Sequence, residues 1–355
     1  MKILVFCNTY SQLILAVQLK LTLFKDDDVD LWLSDTSIGA ESVFERIHGL
    51  HLFNESKFLR FNYSYFKQNK WDNLKDLYSY NFKSINDIFP LYDEIVFYNI
   101  VLQIYRLSDY YYSIGHHPVW SRMEEGIFSY NTDFNKSKRI QYSRIIRKYI
   151  KRPDVFNYIS RYYCVYPFLK TTHLNWDIIK IPDYSTTQKE LCRILNQLFD
   201  YKPKKIEYKY IFFASSSDID GVPFGETELI LKLTNLLGKG NIILKTHPRD
   251  GRTIYSEKGI HVLKNSHIPW EVIQLNLQVD SITFLTVNSG SFISISAMLN
   301  KSYKGFFLYN IPNCHTDAFV TRKEEIHQML VKLHQKDICI GITDDIMNLE
   351  EICKL

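Results

Sequence analysis

The chain has 355 residues, 46% of them hydrophobic and 23% charged, and a single core stops growing at roughly 250–300 residues, so two domains are expected. A net charge of only +4 argues against a nucleic-acid binder. No apolar run approaches the roughly 18 residues of a spanning helix, so the expectation is a soluble, cytoplasmic protein, at most peripheral to the inner face of the plasma membrane.

The six cysteines are scattered, with no CxxC pair and no Cys/His cluster, so neither a zinc site nor a disulfide framework is expected. Lys2–Cys7 is predicted as a buried first strand. The polar turn Asn8-Thr9-Tyr10-Ser11-Gln12 follows, with Ser11 as the cap of a helix running to about Phe24. Strands are predicted at Val29–Ser34, Lys57–Arg60 and Glu94–Tyr98, with helices at Ala40–His48, Phe66–Tyr80 and Ile100–Ser108 between and after them. After the irregular His116-His117-Pro118, Val119–Met123 reads as a strand ending at Glu124-Glu125-Gly126. Lys136–Arg152 is a basic helix, and Tyr162–Tyr166 one more strand. Pro182–Thr187 reads as a linker, followed by a polar helix at Gln188–Phe199.

A second alternating set starts at Tyr210–Phe213. The polar loop Ser215–Gly225 leads to a helix at Glu226–Leu237, closed by Gly238-Lys239-Gly240. The strand Asn241–Leu244 runs into Lys245-Thr246-His247-Pro248-Arg249. A helix at Pro269–Leu277, a strand at Ile282–Val287 and the turn Asn288-Ser289-Gly290-Ser291 into another helix complete the pattern, with strand–helix alternation continuing to the end. Such alternation predicts parallel sheets with helices on both faces, in two halves.

Chemistry gathers at the strand ends. Lys245, His247 and Arg249 suit a phosphate or another anion, and His247 can donate a proton to a leaving phosphate. Ser289 and Ser291 open a helix, where hydroxyls and N–H groups attract anions, although a plain helix cap has the same appearance. Glu124 and Glu125 repel one another, which raises one pKa and makes a base. Asp218 and Asp220 offer an alternative base, in a loop that lacks the later positions of a calcium site. His117 belongs to a loop on the same side as the acid pair. Lys136–Arg152 carries eight cations and no acid. It serves either as a solvated face or as a contact for an anionic lipid surface or acidic polymer.

Taken in order, Glu124-Glu125-Gly126, His247-Pro248 and the serine-rich helix start resemble the bacterial lipooligosaccharide sialyltransferase family, glycosyltransferase family 52, with capsular polysialyltransferases as near relatives. The opening strand with Asn8–Gln12 fits as well. The resemblance implies a GT-B fold, two Rossmann-like α/β domains facing each other across a cleft. The acceptor-side domain would span residues 1–185 and the CMP-binding domain residues 186–355. It implies an inverting transfer of sialic acid from CMP-sialic acid to a galactoside hydroxyl of a capsule or lipooligosaccharide, with no metal or other cofactor. Glu125, or Glu124, would be the base, and His247 would assist departure of the CMP phosphate. Lys245, Pro248, Arg249, Asn288, Ser289, Ser291 and Ser215 would line the donor, and Thr9, Gln12 and His117 the acceptor. Two departures stand out. Gly290 splits serines that the family keeps adjacent, and Asp218 and Asp220 compete as bases. Rival readings are a family 52 hexosyltransferase, a CDP-polyol phosphotransferase, and a non-catalytic nucleotide-sugar-binding protein of a capsule assembly complex. Partners would be the nucleotide sugar and a glycan, with membrane contact through Lys136–Arg152, and a homodimer is compatible with the sequence.

Overall fold

A computed structural model describes residues 1–61, 70–82, 88–126, 129–130, 138–170, 175–217, 224–264, 267–277, 282–291, 293, 299, 304–311, 317–336 and 341–342. The chain divides into two compact units, Met1–Pro182 and Asp183–Leu355.

Unit 1 is a seven-stranded sheet in the order β3-β2-β1-β4-β5-β6-β7. Its strands are β1 (Lys2–Cys7), β2 (Asp28–Ser34), β3 (Ser56–Leu59), β4 (Glu94–Phe97), β5 (Val119–Met123), β6 (Ile159–Cys164) and β7 (Asp177–Lys180). Every pairing is parallel, with registers such as Cys7↔Leu33, Val5↔Val96 and Met123↔Tyr163. The continuous apolar runs of β1 and β4 follow from burial on both faces. Strand β7 was not predicted. Its D-I-I-K sequence is an edge strand, mostly exposed, without an apolar pattern.

Helix α1 (Tyr10–Leu21) is buried continuously from Gln12 to Leu19. Its N-cap is Thr9, whose side chain accepts from the Gln12 amide; Ser11 lies inside the helix and is not the cap. Helices α2 (Ala40–Leu50), α3 (Lys70–Phe82) and α4 (Leu102–Ser113) follow, then α5 (Lys138–Tyr149) within the basic stretch.

The basic stretch is not a uniform solvated face. Arg147 is fully buried and pairs with Asp109, which also receives Arg152 at 3.1 Å, while Arg144 pairs with Asp154 at 2.8 Å. Burying a guanidinium is tolerated only when it is paired and hydrogen-bonded, and the Arg147 Nε also donates to the Pro153 carbonyl at 2.7 Å. Three of the stretch's arginines therefore hold unit 1 together.

Unit 2 begins with α6 (Gln188–Leu198) and contains a five-stranded parallel sheet in the order β12-β11-β10-β8-β9. The strands are β8 (Tyr210–Phe213), β9 (Ile242–Lys245), β10 (Thr283–Thr286), β11 (Gly305–Phe307) and β12 (Gly341–Ile342). Helix α7 (Glu226–Leu237) has Glu226 and Glu228 in its first turn, where the helix dipole favours acids. It ends at Gly238, whose φ of 85° suits glycine. Short α8 (Ile254–Glu257) and α9 (Trp270–Leu275) precede α10 (Asp317–His334). The helix predicted after Ser291 lies mainly outside the described residues, as does the chain beyond Ile342. The chain is thus an α/β protein of two Rossmann-like parallel units, the GT-B class of fold. Among the described residues no helix is long and apolar enough to cross a membrane.

Candidate active site

In unit 1 the strand order reverses between β1 and β4, and ligands of open α/β sheets bind beyond the carboxyl ends of strands at such a reversal. The turn after β1 and the acid pair after β5 both lie on that edge. Thr9 Oγ1 donates to Glu125 Oε1 at 2.9 Å, and Gln12 Nε2 donates to the same oxygen at 2.7 Å. Gln12 Oε1 in turn accepts from the Asn8 backbone amide at 2.6 Å, which fixes the orientation of the Gln12 carboxamide. The Glu125 amide donates to Ser129 Oγ at 3.1 Å. Two residues expected on the acceptor side, Thr9 and Gln12, thus grip one oxygen of the expected base.

Glu125 is half-buried, and burial raises its pKa, against the Thr9 and Gln12 hydrogen bonds and the Arg122 charge. Glu124 is 4% exposed and held by Tyr130 Oη and, at 2.9 Å, by the Val165 amide. Burial pushes its pKa up to about 7. The predicted cause, repulsion between adjacent carboxylates, is therefore corrected: desolvation raises both pKa values, and the two side chains engage different partners.

The raised Glu124 pKa makes a stability prediction. A carboxyl whose folded pKa lies above its unfolded value stabilises the fold fully below the unfolded pKa and loses that contribution as pH rises through the folded one. Between pH 4.5 and about 7, wild type should therefore lose about 3 kcal/mol relative to Glu124→Gln. Thermal melts of both proteins at pH 4 and pH 8 check this; a gap independent of pH contradicts it.

His117 is not brought to this edge. It is exposed and precedes β5, so the length of that strand, roughly 17 Å, separates it from the acid pair. Two further residues, Arg122 and Asn8, lie beside the site. Arg122 is 2% exposed, stacks on the Tyr98 ring at 4.8 Å and donates from Nε to the Tyr98 carbonyl at 3.1 Å. A lone arginine inside the run Val119–Met123 was a readable signal, because a charge on a buried strand requires a specific environment. The Asn8 carboxamide is 4% exposed, and neither of its polar atoms has a hydrogen-bond partner among the described residues.

In unit 2 the reversal falls between β8 and β10. Ser215 follows β8, Thr246–Arg249 follow β9, and Asn288–Ser291 follow β10. The three segments leave adjacent strands at one carboxyl edge, with β9 and β10 about 10 Å apart across β8. The Arg249 amide donates to His247 Nδ1 at 3.2 Å. Nδ1 therefore acts as an acceptor, and in the neutral ring the proton sits on Nε2. Pro248 is exposed in this turn. Asp250, paired with Arg252 through two hydrogen bonds at 2.9 and 2.7 Å, closes it.

Lys245 differs from expectation. It is the last residue of β9, 5% exposed, and does not leave the strand end with His247 and Arg249. Burial pushes its pKa down to about 8, while the charge of buried Glu271 opposes the shift. Ser215 is likewise committed inside the unit: its amide and hydroxyl both donate to Glu226 Oε2, at 2.8 and 2.9 Å. At the end of β10, Ser289 Oγ lies 3.0 Å from Ser291 Oγ and accepts from the Ser291 amide at 3.4 Å, while the Ser289 amide donates to Thr286 Oγ1 at 2.8 Å. Two amides expected to face an anion are thus bonded to the hydroxyls of Thr286 and Ser289. Asn288 is partly exposed just before them. Asp218 and Asp220 lie outside the described residues.

No protein-family model matches the sequence, and no curated protein matches it either. Several solved structures share its fold. One is the α/β-galactoside α-2,3-sialyltransferase of the luminous marine bacterium Photobacterium phosphoreum, 14% identical, with a TM-score of 0.51 over 96% of this chain and 98% of that one. Another is the glycotransferase of kitacinnamycin, 10% identical, with a TM-score of 0.51 over 97% of this chain and 86% of that one. The UDP-GlcNAc 2-epimerase of Methanocaldococcus jannaschii is 12% identical, with a TM-score of 0.50 over 93% of this chain and 92% of that one. What these likenesses establish is the fold, a two-unit α/β architecture that glycosyltransferases and sugar-nucleotide epimerases both use.

Proposed function

We propose that the chain is a glycosyltransferase of the lipooligosaccharide sialyltransferase type, moving sialic acid from CMP-sialic acid to a galactoside hydroxyl of a surface glycan. The observation that carries this reading is the Glu125 carboxylate, half-buried at the carboxyl edge of unit 1 and gripped through one oxygen by Thr9 and Gln12. The second carboxylate oxygen is left to accept a proton. A carboxylate with a raised pKa removes a hydroxyl proton more effectively than an ordinary surface glutamate. The ordered acid pair, His-Pro and serine-rich helix start support the same assignment.

In this reaction Glu125 takes the proton of the acceptor hydroxyl. The acceptor oxygen forms its bond to the anomeric carbon of sialic acid as that carbon's bond to the CMP phosphate breaks, with inversion. His247 Nε2–H donates to the departing phosphate, and Arg249, Asn288 and the Ser289 and Ser291 hydroxyls stabilise its growing charge. Asn8 offers a donor and an acceptor to acceptor hydroxyls, a use for a buried amide that otherwise carries a desolvation cost. No step calls for a metal ion.

Thr9 makes the assignment testable through pH. Its hydrogen bond favours the ionised form of Glu125, so Thr9→Val should move the acid limb of kcat/KM to higher pH. Loss of the helix cap costs about 1 kcal/mol of stability besides. A pH profile with an unmoved acid limb would detach Thr9 from the base.

The donor is tested by measuring nucleotide release from CMP-sialic acid, UDP-glucose, UDP-GlcNAc and CDP-glycerol, each with lactose. Release is expected from CMP-sialic acid alone. Turnover of another donor in its place overturns the donor assignment. CMP binding by calorimetry without turnover of any donor marks a non-catalytic binding protein.

A further inference from the structure

Beside the acid pair, unit 1 gathers two cations around a set of rings. Arg122, 2% exposed in β5, has its guanidinium carbon 4.8 Å from the centre of the Tyr98 ring and 5.9 Å from that of Trp176. Lys170, half-buried beyond the carboxyl end of β6, places Nζ 4.2 Å from the centre of the Tyr162 ring and 5.1 Å from that of Trp176. The Tyr162 and Trp176 rings stack at 6.3 Å, so both cations border one aromatic pair. Tyr162 also ties this group to the base: its hydroxyl lies 3.2 Å from Ser129 Oγ, which accepts from the Glu125 amide at 3.1 Å.

The arrangement is unfavourable for a site that handles only neutral sugars. Cations held close repel one another, and burial strips them of hydration. Burial first, and then the Arg122 charge, push the Lys170 pKa down to about 8. The Arg122 charge also acts to lower the pKa of Glu125, which weakens a base. An anion bound beside the two cations reverses both effects: it offsets their repulsion and restores basicity to Glu125. Trp176, half-buried, adds an aromatic surface against which a sugar ring can pack.

We infer that Lys170 binds an anionic substituent, a carboxylate or a phosphate ester, on the sugar next to the acceptor galactose, with Arg122 holding the subsite positive and Trp176 packing against that sugar. The identity of the acceptor galactose rests on the transferase reading. A lysine suits either anion, since its ammonium is a point charge with three donors on a flexible stem. The natural acceptor is therefore an acidic glycan, and lactose meets only the galactose part of the site.

The test compares three disaccharides that differ only in the outermost group of the reducing sugar: lactose, galactosyl-glucuronic acid and galactosyl-glucose 6-phosphate. Their affinities for the full chain are measured by calorimetry without donor, and KM and kcat then follow with CMP-sialic acid. At least one charged disaccharide should bind about tenfold tighter than lactose or better, the effect of one charge-assisted hydrogen bond. It should lower KM and leave kcat within about twofold. Which of the two binds tightly tells carboxylate from phosphate. Lys170→Gln should bring charged and neutral affinities within about twofold of each other, and Lys170→Arg should keep the preference. Circular dichroism and the melting temperature verify that both variants fold. Equal affinities in wild type, no binding of either charged disaccharide, or a preference that survives Lys170→Gln overturns the inference. So does a Lys170→Gln variant that raises the KM of the donor alone, which would assign the lysine to the carboxylate of sialic acid. A charge preference in a chain that transfers no sialic acid keeps the subsite and overturns the transferase reading instead.

Discussion

Glu125→Gln should reduce transfer of sialic acid to a galactoside by about a hundredfold to ten-thousandfold, the usual contribution of a general base. It should leave CMP binding within about twofold of wild type, since base and donor contacts belong to different units. The substituted carboxamide keeps the volume of Glu125 and an oxygen for Thr9 Oγ1 and Gln12 Nε2 to bond, which in wild type lie 2.9 and 2.7 Å from Glu125 Oε1. The fold therefore survives and only proton acceptance is lost. Glu124→Gln serves as the contrast. Glu124 lies against Tyr130 and the Val165 amide, so its replacement should change stability with pH and leave transfer largely intact. Single-turnover transfer rates, with calorimetric CMP titration, separate the two acids. Equal losses of activity in both variants would remove the basis for assigning Glu125 alone.

His247→Ala should lower kcat by about a hundredfold to a thousandfold, the cost of deleting one donor aimed at developing charge, and should weaken CMP binding. The Arg249 amide occupies Nδ1 at 3.2 Å, which leaves Nε2–H as the donor. His247→Asn can keep a donor near that position and should recover part of the loss. Steady-state kinetics over a range of donor concentrations and CMP titration read both effects. Unchanged kinetics in His247→Ala would mean that the edge formed by β8, β9 and β10 does not hold the departing phosphate.

The strands of both sheets were readable because parallel strands buried on two faces are nearly continuous apolar runs, as in β1 and β4. The exposed edge strand β7 has no such run and escaped notice. At the site, the turn after β1 and the acid pair after β5 were legible as polar residues following apolar strands, and their meeting at Glu125 Oε1 is a tertiary fact. Short-range chemistry was harder. Thr9 and Ser11 are both good caps, and backbone geometry selected Thr9. His117 looked close to the acid pair in sequence, but β5 runs between them. Lys245 looked like a phosphate ligand because it adjoins His247, yet the strand continues through it and turns it inward, near Glu271. Charge counting also overstated the basic stretch, since Arg147 is an internal ion pair and sequence shows no partner 38 residues away.

The most direct measurement is the formation of sialyl-lactose from CMP-sialic acid and lactose by the full chain in the presence of EDTA, followed by mass spectrometry beside Glu125→Gln. The expected result is a sialylated product with inverted anomeric configuration, one CMP released for each sugar transferred, and next to none from the variant. Absence of sialylated product from a folded chain that turns over a different nucleotide-activated donor, or undiminished product from Glu125→Gln, would contradict the assignment.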